Sequence, residues 1–273
     1  MPDTEKRTLL VVGSGKGARE SSPSAATNTL QVADLARVVY SAGKVFEELQ
    51  VGRDDTDNFL RSGSLNGITS RSDLALLEDL RDVSQFIITN RETPIGSTYV
   101  RAVNAQITRS GPLNPGLYRT AAQQIGVNTH YGRHEPQPSS DTALQRIIVR
   151  AMTKPSPREQ ALELFVQIAK AQPFEDGNKR TALFVANSVL IRERQPEMLV
   201  VPVDENDDNE AARFSGLLAR AYVLDDLEGV KNLLRGDGFT KHITAREPKR
   251  AARMSNQPEL QDVTLEPHGL SSE

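Results

Sequence analysis

The stretch Ala171-Gln-Pro-Phe-Glu-Asp-Gly-Asn-Lys-Arg-Thr181 lies between two strong helical patterns and opens the second of them. Asp176-Gly177-Asn178 is turn chemistry, because Asp and Asn side chains bond nearby backbone and Gly accepts left-handed backbone angles. The amides of Gly177 to Thr181 are expected to point out of the N-terminus of a helix that starts near Arg180, where the helix dipole favours anions. Lys179 and Arg180 add two cations beside those amides, and Asp176 offers a hard oxygen that Mg2+ can share with phosphates. Together these residues describe a nucleoside triphosphate site. The same string also fits a plain helix connection, with an Asx-type turn, surface charges and Phe174 plugging the core. Spacing by itself does not choose between the two.

Outward from this stretch, helical periodicity dominates. Val32, Leu35, Ala36, Val39 and Val45-Phe46 lay one apolar stripe along a helix within residues 30–49. Residues 74–88 repeat the pattern through Leu77, Leu80, Val83 and Phe86-Ile87, with Ser72 or Asp73 placed to cap the exposed amides. Further helices are expected over 99–107, 142–152, 158–171, 180–192 and 209–223, which makes the core all-helical. Residues 122–140 break the pattern: Ile125 and Val127 precede a run with Gly126, Gly132, Pro136 and Pro138, which reads as a short hairpin or an ordered loop. No internal repeat of roughly 20–50 residues is present.

Composition bounds the function. At roughly 150 residues per domain, 273 residues permit one large domain with tails or two small ones. With 33 Lys and Arg against 36 Asp and Glu the net charge is −3, which argues against a strongly basic nucleic-acid surface. The absence of Cys removes disulfides, thiolate chemistry and Cys-ligated zinc, and leaves His130, His134, His242 and His268 as the imidazoles. No segment reaches the roughly 18 apolar residues of a membrane span, and the Leu9-Leu-Val-Val12 island is too short for a secretory segment, so a cytoplasmic location is the default expectation. Residues 1–28 are rich in Ser, Gly, Lys and Arg and are expected to form a disordered tail. The Gly13-Ser-Gly15-Lys16-Gly17 run within them lacks the spacer and the Ser/Thr of a phosphate-binding P-loop. Residues 241–273, with Arg246, Lys249, Arg250 and Arg253, read as a second polar tail whose basic cluster is solvated, and residues 29–240 as the helical domain.

Gln172-Pro-Phe-Glu-Asp-Gly-Asn-Lys-Arg180 resembles the Fic motif, His-Pro-Phe-x-Asp-Gly-Asn-Gly/Lys-Arg, and eight consecutive residues after Gln172 satisfy it. Pro115-Gly-Leu-Tyr-Arg119 looks like the family's Pro-Gly-x-x-Arg segment, followed by a flap region at Ile125-Gly126 and its Pro-rich exit at Pro136 to Pro138. The resemblance implies an all-α Fic bundle in which the helices flanking the motif pack together, with a short β-hairpin flap holding a target segment extended. It implies transfer of AMP from ATP, with Mg2+, to a Ser, Thr or Tyr hydroxyl of a partner protein. Phe174, Gly177, Asn178, Lys179 and Arg180 are then implied on the nucleotide, Arg180 also in catalysis, and Asp176 on the metal. The implied partner is a protein substrate or a regulatory protein, not nucleic acid or membrane; oligomeric state is left open.

Three departures qualify this resemblance. Gln172 stands where the family's His takes the proton of the attacking hydroxyl, and a carboxamide has no useful basicity near neutral pH, so a contribution of typically about 10²–10⁴ in rate is missing. Lys179 and Leu183 stand where adenylylating members carry Gly and a second Arg, and Asn178-Lys-Arg-Thr-Ala-Leu183 resembles the phosphorylating Doc toxins of toxin–antitoxin pairs. Ser62-Gly-Ser-Leu-Asn66-Gly67 resembles the family's inhibitory Ser-x-x-x-Glu-Gly motif without its Glu, which implies a dismantled inhibitory switch. Two functions follow: an impaired or re-specialised Fic transferase, and a Fic pseudoenzyme that binds a nucleotide or partner without chemistry.

Overall fold

The computed structural model describes residues 30–123, 125–204, 207 and 209–241. The expected tail over 1–28 with its 13–17 loop, the Arg246 to Arg253 cluster, His242 and His268 lie outside the described residues. A 3-10 turn, Val32–Leu35, runs into α1 (Ala36–Glu47), followed by α2 (Arg53–Ser62), α3 (Arg71–Thr89) and α4 (Ser97–Asn104). A hairpin of β1 (Val127–Thr129) and β2 (Gly132–His134) precedes α5 (Asp141–Met152), α6 (Pro157–Ala171) and α7 (Asn178–Arg192). The described residues end with β3 (Glu197–Leu199), α8 (Asn209–Val223), α9 (Leu227–Asp237) and β4 (Phe239–Lys241).

α3, α5 and α6 begin where a serine side chain satisfies one of their first amides. Ser70 accepts from the Asp73 amide at 2.9 Å, Ser140 from Ala143 at 3.2 Å and Ser156 from Glu159 at 3.3 Å, with Pro157 at the first helical position of α6. The α3 cap is therefore Ser70, not Ser72 or Asp73: Ser70 keeps extended backbone angles, whereas the other two are already inside the helix. α2 and α9 are additions to the helices read from sequence. α2 buries only Thr56, Phe59 and Leu60 on an otherwise charged segment, so its stripe is short.

α7 is the axis of the bundle. It is buried continuously from Arg180 to Ile191, packs most extensively against α6, and also meets α1, α3 and α4. A helix surrounded on all sides has no polar face, which is why α7 shows little amphipathic contrast. Residues 122–140 resolve as the expected hairpin, with Val127 opposite His134 and a two-residue turn at His130-Tyr131. A second antiparallel ribbon pairs Leu199 with Phe239; strands of three residues are too short to show a period of two.

α9 is locked to α6 by a buried ion pair. Lys231 Nζ lies 2.9 Å from Glu163 Oε2, and Gln167 donates to the same carboxylate at 3.0 Å. Burial by itself raises the Glu163 carboxyl, but the hydrogen bonds from Lys231 and Gln167 outweigh it and hold the group below its ordinary value. Removing Lys231 leaves the buried Glu163 with only the more distant Lys154, at 3.6 Å, to offset its charge. Lys231→Met is expected to lower unfolding free energy by about 3 kcal/mol, read from urea denaturation, with the helical content of the folded state unchanged.

Candidate active site

α6 ends because Gln172 turns left-handed (φ 43, ψ 58) and Pro173 cannot continue the helical hydrogen bonding. The chain then makes the turn through Asn178, whose side chain clasps Phe174 at both ends. Asn178 Nδ2 donates to the Phe174 carbonyl at 3.0 Å, and the Phe174 amide donates to Asn178 Oδ1 at 2.9 Å. Phe174 is fully buried and stacks on Tyr118, with ring centroids 5.9 Å apart and planes 5° from parallel. It supports the turn from beneath. Gly177 holds φ 71, and a Cβ there would meet Ile107 Cδ1 at 2.7 Å, so the position requires glycine for both angle and space.

Two buried polar residues fix the turn to the bundle. Asn104, at the end of α4, donates to the Asp176 carbonyl at 3.1 Å and the Thr181 hydroxyl at 3.0 Å, and accepts from the Gly116 amide at 2.8 Å. Arg119 donates through Nε to the Gln172 carbonyl at 2.7 Å and through Nη2 to the Gln137 and Pro136 carbonyls. It thereby joins the turn to the segment leaving the hairpin.

The amides of the first turn of α7 are partly consumed. The Gly177 amide donates to Asp176 Oδ1 at 2.6 Å, and the Thr181 amide is bonded within the helix to Gly177 at 2.8 Å. Helix geometry leaves Asn178, Lys179 and Arg180 without intrahelical acceptors, and Gly177 has no side chain to cap them. The anion cradle read from sequence over 177–181 is thus three amides, and its helix starts at Asn178 instead of near Arg180. The Asp176 side chain is 50% exposed with Oδ2 3.5 Å from Arg180 Nη2. A half-exposed carboxylate suits Mg2+ shared with phosphates and water, and no group of three acidic or His ligands exists among the described residues.

The two cations are not equivalent. Arg180 is fully buried: its Nε lies 2.9 Å from Glu47 Oε1 and Nη1 donates to Ser110 Oγ at 2.7 Å. Lys179 Nζ sits 5.1 Å from the centre of the Phe46 ring, and burial pushes its ammonium below the ordinary value against the pull of Glu47. Burial likewise raises the Glu47 carboxyl despite the charge of Arg180. Ser62, Asn66 and Gly67 do not join this cluster. Ser62 bonds back to Asn58, the Asn66 amide to Ser64, and Gly67 lies against Asp55. The carboxylate that reaches Arg180 is Glu47, from the end of α1, and the buried Leu183 stands where the resemblance places the second Arg.

Beside Lys179 lies a cavity of about 470 Å³ lined by Phe46, His130, Phe214, Leu218 and Tyr222, among others. Gln172 is buried with its side chain toward Tyr222. Of the two hairpin histidines, His130 lines the cavity, whereas His134 donates through Nε2 to the Lys170 carbonyl at 2.7 Å and stacks on Tyr222 at 5.0 Å.

Arg180 is held in place by Asp79 through Ser110. Asp79 Oδ2 accepts from the Ser110 hydroxyl at 2.8 Å and amide at 2.7 Å, while the Thr108 and Arg109 amides also reach the carboxylate. Burial raises the Asp79 carboxyl, but these bonds outweigh it and leave it below its ordinary value. A depressed carboxylate contributes stability above its unfolded value, and that stability is lost as pH falls through the folded one. Asp79→Asn is expected to cost about 2 kcal/mol at neutral pH and to flatten the acid limb of the stability profile, measured by urea denaturation across the acidic range.

A family model described as Fic/DOC family matches residues 94–190, which run from just before α4 to near the end of α7. No curated protein matches the chain. Among solved structures it is similar to Fic-1 from C. elegans (18% identity, TM-score 0.56), covering 74% of this chain and 59% of that one. It is also similar to a Fic domain containing signaling protein from Bacteroides thetaiotaomicron (21% identity, TM-score 0.57), covering 74% and 81%. At these identities the likeness is one of fold, and it spans well under two thirds of the C. elegans chain. The match to the Fic/DOC family covers the motif turn and its flanking helices, residues 94–190, and the solved structures share the fold of the described residues.

Proposed function

We propose that the chain binds ATP with Mg2+ and acts as an impaired Fic-type transferase toward a hydroxyl of a partner protein. The observation that supports this best is the uncapped first turn of α7, with three free amides beside the exposed Asp176 carboxylate and the Lys179-lined cavity. Mg2+ on Asp176 would neutralise charge on the phosphate oxygens. The amides of Asn178, Lys179 and Arg180 would bind the polyphosphate and orient it, and Gln172 would face the acceptor hydroxyl from the end of α6.

For AMP transfer, the hydroxyl oxygen forms a bond to the α-phosphorus, the bond to the bridging oxygen breaks, and pyrophosphate leaves with that electron pair. The hydroxyl proton needs an acceptor. The Gln172 carbonyl oxygen can hydrogen-bond that proton but cannot take it at neutral pH. A Gln172→His variant incubated with α-labelled ATP and a cell lysate is expected to label protein about 10²-fold or more above the parent; equal labelling by both would refute the assigned role of Gln172.

A second reading, phosphoryl transfer as in Doc-like proteins or nucleotide binding without transfer, is favoured by Lys179, whose side chain crosses Phe46 at the cavity wall. Label from γ-labelled but not α-labelled ATP distinguishes the first of these, and binding without label the second. Glu47 restrains either activity by neutralising Arg180. Glu47→Ala is expected to tighten Mg2+·ATP binding about tenfold, equivalent to about 1.4 kcal/mol, measured by calorimetry, with some loss of thermal stability because Arg180 then lies buried with less compensation.

A further inference from the structure

α5 presents two different faces. Leu144, Ile148 and Ala151 are buried in the bundle, whereas Gln145, Arg146, Val149 and Arg150 line an open groove of about 570 Å³ that extends to Ser97 at the start of α4. The floor is fixed, because the Ser97 amide donates to Gln145 Oε1 at 3.0 Å. Val149 is 55% exposed, and Arg146 and Arg150 stand one helical turn apart beside it, both exposed. Among the described residues neither guanidinium has a hydrogen-bond acceptor or an ion-pair partner. The one carboxylate in the groove, Asp141, is already engaged: it accepts from the Tyr118 hydroxyl at 2.8 Å and lies 3.8 Å from Arg101 Nη1.

Two cations around an exposed apolar side chain are complementary to a segment with an apolar residue between two acids. The chain itself contains one. Residues 242–253, which lie outside the described residues, are predominantly basic, but residues 254–273 carry Glu259, Asp262, Glu266 and Glu273 and no Lys or Arg. Val263 and Glu266 follow Asp262 by one and four positions, and Val149 and Arg146 precede Arg150 by the same one and four. The two patterns therefore match when the segments run in opposite directions at helical spacing. Run in the same direction, the charges still meet but the two valines fall two positions out of register. Reach is sufficient: residues 242–258 span up to about 60 Å when extended, against a radius of gyration of about 17 Å for a domain of roughly 200 residues.

We propose that residues 258–267 dock in this groove within the same molecule, antiparallel to α5, with Asp262 on Arg150, Val263 on Val149 and Glu266 on Arg146. Exposed ion pairs are individually weak. The tether offsets this by holding the segment at an effective concentration of about a millimolar. The inference uses nothing from the nucleotide reading.

Amide hydrogen exchange on the full chain tests the docking. In the parent, the amides of residues 259–266 are expected to exchange about tenfold more slowly than in a variant combining Arg146→Glu and Arg150→Glu. Reversing the other side, with Asp262→Arg and Glu266→Arg, is expected to lose the same protection, and combining all four substitutions to restore it. Because Arg146 and Arg150 are exposed, the melting temperature of each variant is expected to stay within about 2 °C of the parent. Fast exchange over 259–266 in every chain, or protection that survives reversal of the groove, overturns the proposal. Protection that grows with protein concentration alongside a dimer in sedimentation overturns it as well, because the segment then fills the groove of a second copy.

Discussion

The carboxamide of Asn104 is the interaction on which the site depends. One buried side chain bonds the Asp176 carbonyl, the Thr181 hydroxyl and the Gly116 amide, and so ties the motif turn, the first turn of α7 and the loop after α4 into one rigid body. Inside a bundle such a group must be fully satisfied or it is costly, and Asn104 is fully buried with both ends of its amide engaged. These bonds hold the start of α7, whose first amides no side chain caps, against the end of α4. Gly177 completes the constraint, since Ile107 from the same region occupies the space where a side chain would project.

Electrostatically the site is a compromise between exposure and burial. Arg180 lies in the interior against Glu47, Asp176 and Ser110, while the Asp176 carboxylate looks toward water. The charge able to meet an incoming anion is therefore carried by backbone dipoles and Lys179 more than by the guanidinium. Nearby, Lys179 is opposed by burial and Glu47 is raised by it, which weakens both members of the cluster at once. Such paired adjustments are what a concave site in low dielectric produces.

Much of the helical frame was legible in the sequence because apolar spacing reports which face is buried. α3, α5, α6 and α8 carry that spacing openly. α7 was recognisable by the motif that opens it, although its buried circumference blurs the stripe. What could not be read was pairing between distant segments. Glu47 is one of two consecutive glutamates at the end of a helix, and nothing local distinguishes the one that turns inward to Arg180. Asn104 and Asp79 look like ordinary polar positions until the fold buries them. At 62–67 a motif-like spacing is legible, and the hydrogen bonds there stay within their own neighbourhood. Tyr222 lies near the end of α8 and reads as core, which its buried ring is.

Arg119 gives the domain a mechanical property. Its guanidinium grips the carbonyl of Gln172 with one nitrogen and the chain leaving the β1–β2 hairpin with another. A displacement of the chain leaving the hairpin is consequently transmitted, through a single planar group, to the backbone of Gln172. The backbone angle of Gln172 and the position of the segment at 136–137 are therefore set together.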